Sequence, residues 1–152
     1  SIIAVRNKSG EIKFYPLIEN HHRDGILRLS LVIGNIPAEL QKQAEDYAQR
    51  VLSALNYVGV LTIEFFEKDG QLLANEMAPR VHNSGHWTIE GAITSQFENQ
   101  VRAVCDAPLL QQWQQMFHIT AYQRHCVTPP QEEPHPSNPI GGDIIPFHAS
   151  PP

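Results

Sequence analysis

The sequence predicts an α+β fold, an antiparallel sheet covered on one face by two helices. Three observations carry that prediction. Short β-prone segments are separated by turn sequences, Lys8-Ser9-Gly10-Glu11, Asp24-Gly25 and Asp69-Gly70, of the kind that joins antiparallel neighbours. A long stretch after Pro37 repeats apolar residues every three or four positions, and a shorter one does so from Ser95; this is the helical period. Finally, 152 residues at 41% hydrophobic content suffice for one ordinary core.

Taken in order, Ile2-Ile3-Ala4-Val5-Arg6 is apolar and β-branched, and Ile12-Lys13-Phe14-Tyr15 resumes after the first turn with alternation, which reads as a hairpin. Glu19-Asn20-His21-His22-Arg23 is a polar stretch. Beyond Asp24-Gly25, Ile26-Leu27-Arg28-Leu29-Ser30-Leu31 alternates as expected of a strand with one buried face. Pro37 opens a helix whose inner stripe is Leu40, Ala44, Tyr47, Ala48, Val51, Leu52 and Leu55, with Glu39, Lys42, Glu45, Asp46 and Arg50 opposite. Val58 to Phe66 is strongly β-prone, Asp69-Gly70 turns, and Leu72 to Met77 returns. Ala78 to Trp87 has no apolar period. The second helix is expected from Ser95 to about Cys105, capped by Thr94 or Ser95, with Phe97, Val101 and Val104 as its apolar face. The expected strands lie near 2–7, 11–16, 26–33, 58–66 and 71–77, and the helices near 38–56 and 94–105. The uncovered face of the sheet is expected to carry the site.

Residue 109 divides two kinds of sequence. Nine of twelve prolines lie from Pro108 onward, and after Gln111 the only charged residues are Arg124, Glu132, Glu133 and Asp143. Residues 110–152 are therefore read as a mostly irregular tail rich in Pro, Gln and His. The net charge of −5 argues against a nucleic-acid partner. No apolar run is long enough to span a bilayer and Ser1 to Arg6 does not read as a secretory signal, so a cytoplasmic protein without membrane attachment is expected. Cys105 and Cys126 have neither disulfide-framework nor zinc spacing, and are read as free thiols.

The chemistry concentrates between Glu64 and His86. Glu64 interrupts an apolar strand, and Glu76 stands across the turn from it. A three-residue loop, Asp69-Gly70-Gln71, would place the two glutamates directly opposite on one face; a two-residue loop would pair Glu64 with Asn75 instead. Opposed carboxylates destabilise a hairpin, and a divalent cation such as Mg2+ resolves the conflict while keeping positions for water and substrate phosphates. A solvated pair of edge glutamates is the alternative. Arg80 offers a planar fork of donors for a carboxylate or phosphate. His82 and His86 suit proton transfer or polar contact, and Asn83 is a neutral donor for a developing anion. Zinc is disfavoured, because the two histidines lie outside a helical period and no third imidazole or thiolate follows at metal spacing.

Gly59-Val60-Leu61-Thr62-Ile63-Glu64-Phe65-Phe66, the returning Leu73-Ala74-Asn75-Glu76-Met77-Ala78-Pro79-Arg80 and above all Val81-His82-Asn83-Ser84-Gly85-His86-Trp87-Thr88 resemble the carboxyaminoimidazole ribonucleotide synthetases. These are ATP-grasp enzymes of purine biosynthesis, also described as the ATPase subunit of phosphoribosylaminoimidazole carboxylase. The resemblance runs from residue 1 to about 109 and includes Ser95 to Ala103. It implies that residues 1–109 are the C-terminal portion of an ATP-grasp domain, a fragment of its large lobe. It further implies that ATP and bicarbonate form carboxyphosphate, which carboxylates aminoimidazole ribonucleotide. On the matching positions, Glu64 and Glu76 hold Mg2+ on the ATP phosphates, Asn75 contacts phosphate or supports the metal, and Arg80, His82 and Asn83 surround the bicarbonate. Complete family members also carry an N-terminal Rossmann-like domain, a small lobe with a phosphate-binding lysine and lid, and a short C-terminal domain. Partners implied are a complementing N-terminal portion or a second copy in a homodimer. Two other readings are a non-catalytic ATP-grasp remnant acting as an interaction module, and another ATP-grasp carboxylase; the His82-to-Thr88 run argues against the latter.

Overall fold

The computed structural model describes residues 1–32 and 36–110, together with the backbone of residues 121–124. Its strands are β1 (Ile2–Arg6), β2 (Ile12–Phe14), β3 (Glu19–Arg23), β4 (Ile26–Val32), β5 (Gly59–Lys68), β6 (Gln71–Ala78) and β7 (Ala121–Arg124). The helices are α1 (Ala38–Ala54), α2 (Thr88–Gly91) and α3 (Gln96–Val104), and a 3-10 turn spans Asn83–Gly85. All strand pairs are antiparallel. No helix among the described residues is long and apolar enough to cross a membrane.

The expected single sheet is corrected to two, ordered β2-β1-β5-β6 and β3-β4-β7. Both edges of β1 are taken, by β2 and β5, so the β3–β4 hairpin builds its own sheet. β3 is the polar stretch of residues 19–23, which lacks the apolar alternation of a half-buried strand. Asp24 and Gly25 both have positive φ, 55° and 73°, and their two-residue turn pairs Arg23 with Ile26. Of the tail expected to be irregular, the backbone at 121–124 forms β7 against β4; the rest of 111–152, with Cys126, lies outside the described residues.

The placement of both helices on one face is also corrected. Ile2, Ile3, Ala4 and Val5 are all fully buried, so β1 is covered on both faces, as a continuous apolar strand requires. Ile2 and Ala4 pack with Ala44, Ala48 and Leu52 of α1. Ile3 and Val5 pack instead with Ala103 of α3 and with Trp87. Alternate residues of a strand point to opposite faces, so the sheet lies between α1 and α3.

Helix α1 follows its predicted stripe, burying Ala44, Ala48 and Leu52, although Leu55 is exposed. It ends when Asn56 takes a φ of 46°, with Asn56 N–H donating to Ser53 O and Tyr57 N–H to Leu52 O, the Schellman arrangement that satisfies the last carbonyls. Ser95 caps α3 through Oγ, which accepts from Glu98 N–H.

The apolar face expected for α3 points outward, contrary to its packing against the sheet. Phe97, Val101 and Val104 are exposed, while Gln96, Asn99 and Ala103 are buried. The reason lies in the backbone beneath the helix. Gln96 bonds both backbone groups of His82, Asn99 donates to Tyr15 Oη, and Gln100 Oε1 accepts from Val60 N–H. Irregular chain on this face has polar groups that must be paired, and amides pair them where Phe and Val cannot.

Candidate functional site

The β5–β6 hairpin turns at Asp69 and Gly70, with φ of 52° and 74°, and Lys68 pairs with Gln71. Positive φ at both central residues is the requirement of a type I′ turn. The loop therefore has two residues, yet Glu64 pairs with Glu76. The register shifts by one between Glu64 and Phe65, because β6 carries Asn75 as an extra residue facing Glu64. This bulge decides the chemistry. Leu72, four residues before Glu76, packs with the α1 side of the sheet; without the extra residue Glu76 would share that face. With it, Glu76 joins Glu64 on the face that carries His82.

His82 stands at the start of the 3-10 turn in an extended conformation, φ −129° and ψ 151°. One ligand atom from each of Glu64, Glu76 and His82 lies within 4.8 Å of the others. His82 Nε2 is 3.6 Å from Glu64 Oε1. Its Nδ1 is 2.8 Å from Ser84 Oγ and 3.3 Å from Ser84 N. The backbone N–H of Ser84 donates to Nδ1, beside Ser84 Oγ, which accepts from Ser1 Oγ. That leaves the ring proton on Nε2, facing the carboxylates. Burial first, then the positive charge of Arg80, pushes the His82 pKa down to about 4, against the opposing pull of Glu76. The ring is a neutral donor at pH 7.

Among the described residues, neither Glu64 nor Glu76 has a Lys or Arg within 4.0 Å. Two carboxylates converging without a Lys or Arg partner, beside a neutral imidazole, suit a hard divalent ion bound through oxygen. With its proton on Nε2, His82 would donate to an anion in that space; as a metal ligand it would need the other tautomer.

Glu64 and Asn75 also line a cavity of about 930 Å³, whose walls include Leu17, Leu40, Phe65 and His22. The space lies between the β5–β6 hairpin, α1 and the β3–β4 sheet, and its volume falls in the range that accepts nucleotide-sized ligands.

The remaining expected residues are placed differently. Arg80 is exposed and its guanidinium bonds Val81 O at 3.0 Å. Asn83 is exposed. His86 stacks against Phe97, ring centres 5.6 Å apart, and is outside the Glu64–Glu76–His82 group. Sequence reasoning missed the support: Ser84 on the ring, Gln96 on the backbone, and Thr88, whose Oγ1 donates to Gly85 O and accepts from Gln96 N–H. Ser84 belongs to the His82-to-Thr88 run, but nothing in its spacing shows that it orients an imidazole.

The family profile described as "ATP-grasp domain" matches residues 1–97. A curated relative, N5-carboxyaminoimidazole ribonucleotide synthase from Pseudomonas aeruginosa, is 62% identical over 109 residues, 72% of this chain and 30% of its own. The crystal structure of N5-carboxyaminoimidazole ribonucleotide synthetase from Thermus thermophilus is similar at 62% identity with TM-score 0.69, covering 72% of this chain and 31% of that one. The enzyme from Aspergillus clavatus, in complex with ADP and 5-aminoimidazole ribonucleotide, is similar at 34% identity with TM-score 0.66, covering 72% and 30% respectively. The chain thus spans about three tenths of the length of the proteins it matches.

Proposed function

The chain belongs to the ATP-grasp family, and on that premise we propose that it supplies the magnesium and bicarbonate site of an ATP-dependent carboxylase acting on aminoimidazole ribonucleotide in purine biosynthesis. The observation that carries the reading is the Glu64–Glu76 pair, turned onto one face by the Asn75 bulge at the rim of the cavity. The relatives named above, one with ADP and aminoimidazole ribonucleotide bound, support the choice of substrates.

In this reading Glu64 and Glu76 hold Mg2+, and Asn75 contacts a phosphate from the adjoining cavity. The ion, when bound, neutralises charge on the transferred phosphoryl group. Arg80, His82 and Asn83 surround the bicarbonate. A bicarbonate oxygen attacks the γ-phosphorus of ATP and ADP leaves; the aminoimidazole amine then attacks the carboxyl carbon of carboxyphosphate, losing a proton as phosphate departs. His82 donates Nε2–H to an oxygen of the anion, and Arg80 supplies positive charge from the exposed side. Both act by positioning and electrostatic stabilisation rather than covalent chemistry. Turnover calls for the N-terminal ATP-grasp portion that the longer relatives carry, and the proposed partners are that complementing portion or a second copy in a homodimer. The cytosol, where ATP and bicarbonate are available, is the proposed location.

Titration of the chain with Mn2+ in the presence of ADP, followed by the Mn2+ EPR signal, tests this. A saturable complex weakened at least about tenfold by Glu76→Gln and by Glu64→Gln is expected, about 1.4 kcal/mol or more. Failure of the parent chain to bind metal with nucleotide, even with the N-terminal portion added, would leave a non-catalytic remnant as the better description.

A further inference from the structure

Gln96 is wholly buried, lies outside the carboxylate group, and has no part in the reaction proposed above. Its amide makes an unusual pair of bonds. Oε1 accepts from His82 N–H at 3.0 Å, and Nε2 donates to His82 O at 2.7 Å. Both backbone groups of one extended residue are thus paired by one side chain, as a neighbouring strand would pair them. Gln96 N–H donates in turn to Thr88 Oγ1, which bonds Gly85 O. The first residue of α3 therefore clasps the segment from 82 to 88 at three points.

We propose that Gln96 is a positioning residue for His82, holding the backbone at the angle from which the ring meets Ser84 on one side and Glu64 on the other. The inference rests on the reading of His82 as a donor to the anion site. Side-chain chemistry restricts what can stand at 96. Asparagine is one methylene shorter. Glutamate has the same shape, but one of its oxygens would face the His82 carbonyl oxygen where Nε2 now donates, exchanging an attraction for a repulsion. Methionine fills a similar volume and pairs neither group. Position 85 must also stay small, because a Cβ there would meet Gln96 Oε1 at 2.6 Å and Cδ at 2.7 Å. The His82-to-Thr88 segment and Gln96 are thus mutually constrained.

The test uses the chain labelled with 15N in histidine, with ring-nitrogen signals recorded at pH 7 for the parent, Gln96→Glu, Gln96→Met and Asn99→Ala. Asn99 is an equally buried amide three residues along the same helix, bonded to Tyr15 Oη and not to His82. In the parent, His82 should show two well-separated ring nitrogens of a single tautomer. Both Gln96 variants should collapse them toward an average, whereas Asn99→Ala should leave them in place despite a lower melting temperature. Unchanged His82 signals in a folded Gln96 variant would overturn the proposal, and so would the same collapse in Asn99→Ala, since that would signify general loosening. Collapse at Gln96 in a chain that binds no metal or nucleotide would uphold the positioning role and remove the carboxylase reading instead.

Discussion

Gly85→Ala isolates how tightly the loop is built against the sheet. The φ of Gly85 is not among the positive values of the chain, so any residue can adopt its backbone angle and the effect is one of space. An added Cβ would stand 2.3 Å from Ile3 Cδ1, in addition to its approach to Gln96. Ile3 is fully buried in β1 and cannot swing away, and the Gln96 amide can yield only by releasing His82. Overpacking of this kind costs about 1–3 kcal/mol, and loss of two buried hydrogen bonds adds about 1 kcal/mol each. About 3–5 kcal/mol is expected, a large share of the roughly 5–15 kcal/mol that holds a domain together. At a urea slope of about 2 kcal/mol per M, the unfolding midpoint should fall by about 1.5–2.5 M. A fall of less than about 0.3 M with unchanged slope would refute the packing argument and with it the rigidity assigned to the 82–88 segment.

Acid should destabilise the chain through His82. Its pKa is lowered from 6.5 to about 4 on folding, so between those values the unfolded chain takes up a proton that the folded chain does not. Stability is therefore complete above pH 6.5 and lost as pH falls toward 4, by about 1–2 kcal/mol once solvent screening is allowed for, and urea titrations of the parent and His82→Gln in EDTA should converge over that interval. In EDTA, Glu64→Gln should be neutral or stabilising by up to about 1 kcal/mol, since it removes repulsion from Glu76; with Mn2+ and ADP present the sign should reverse, which melting temperatures will report. On α3, Val101→Ser should change stability by less than about 0.5 kcal/mol because the side chain is exposed, while Asn99→Ala should cost about 1–3 kcal/mol by leaving Tyr15 Oη with one buried partner fewer; the reverse order in chemical denaturation would restore the apolar-face reading. Leu52→Ala, fully buried against β1, should cost about 2–5 kcal/mol in the same assay.

The two helices show where sequence periodicity speaks and where it misleads. On α1 the buried residues Ala44, Ala48 and Leu52 lie within the apolar stripe, because they pack on the paired strands β1 and β5, while Gln41 and Gln43 of the same helix bond the backbone N–H groups of Leu17 and Leu72. On α3 the apolar stripe is real and faces outward. The chain beneath it is a turn and a strand end whose N–H and C=O groups are paired by Gln96 and Gln100, and with the bond from Asn99 to the buried Tyr15 hydroxyl these decide the rotation. A stripe count registers hydrophobicity and is blind to the unpaired backbone of a partner element. β3 was missed for a related reason, as an edge strand with four of its five residues exposed that shows no alternation.

Local chemistry did determine a good deal. Gly and Asp marked the turns, the β-branched runs marked β1 and β5, and the anomalous Glu64 in an apolar strand marked the site, since such effects act within a few residues. The partner of Glu64 was a different matter. Loop length alone left two registers open, and a two-residue loop pointed to Asn75, yet the bulge at Asn75 brings Glu76 opposite. The face of α3, the two-sided covering of β1 and the clasp by Gln96 likewise belong to the tertiary structure. Each is settled by groups far apart in the chain, such as Gln96 and the backbone of His82 or Asn99 and Tyr15 Oη, whose donors and acceptors acquire partners only when the fold brings them within 3 Å or so.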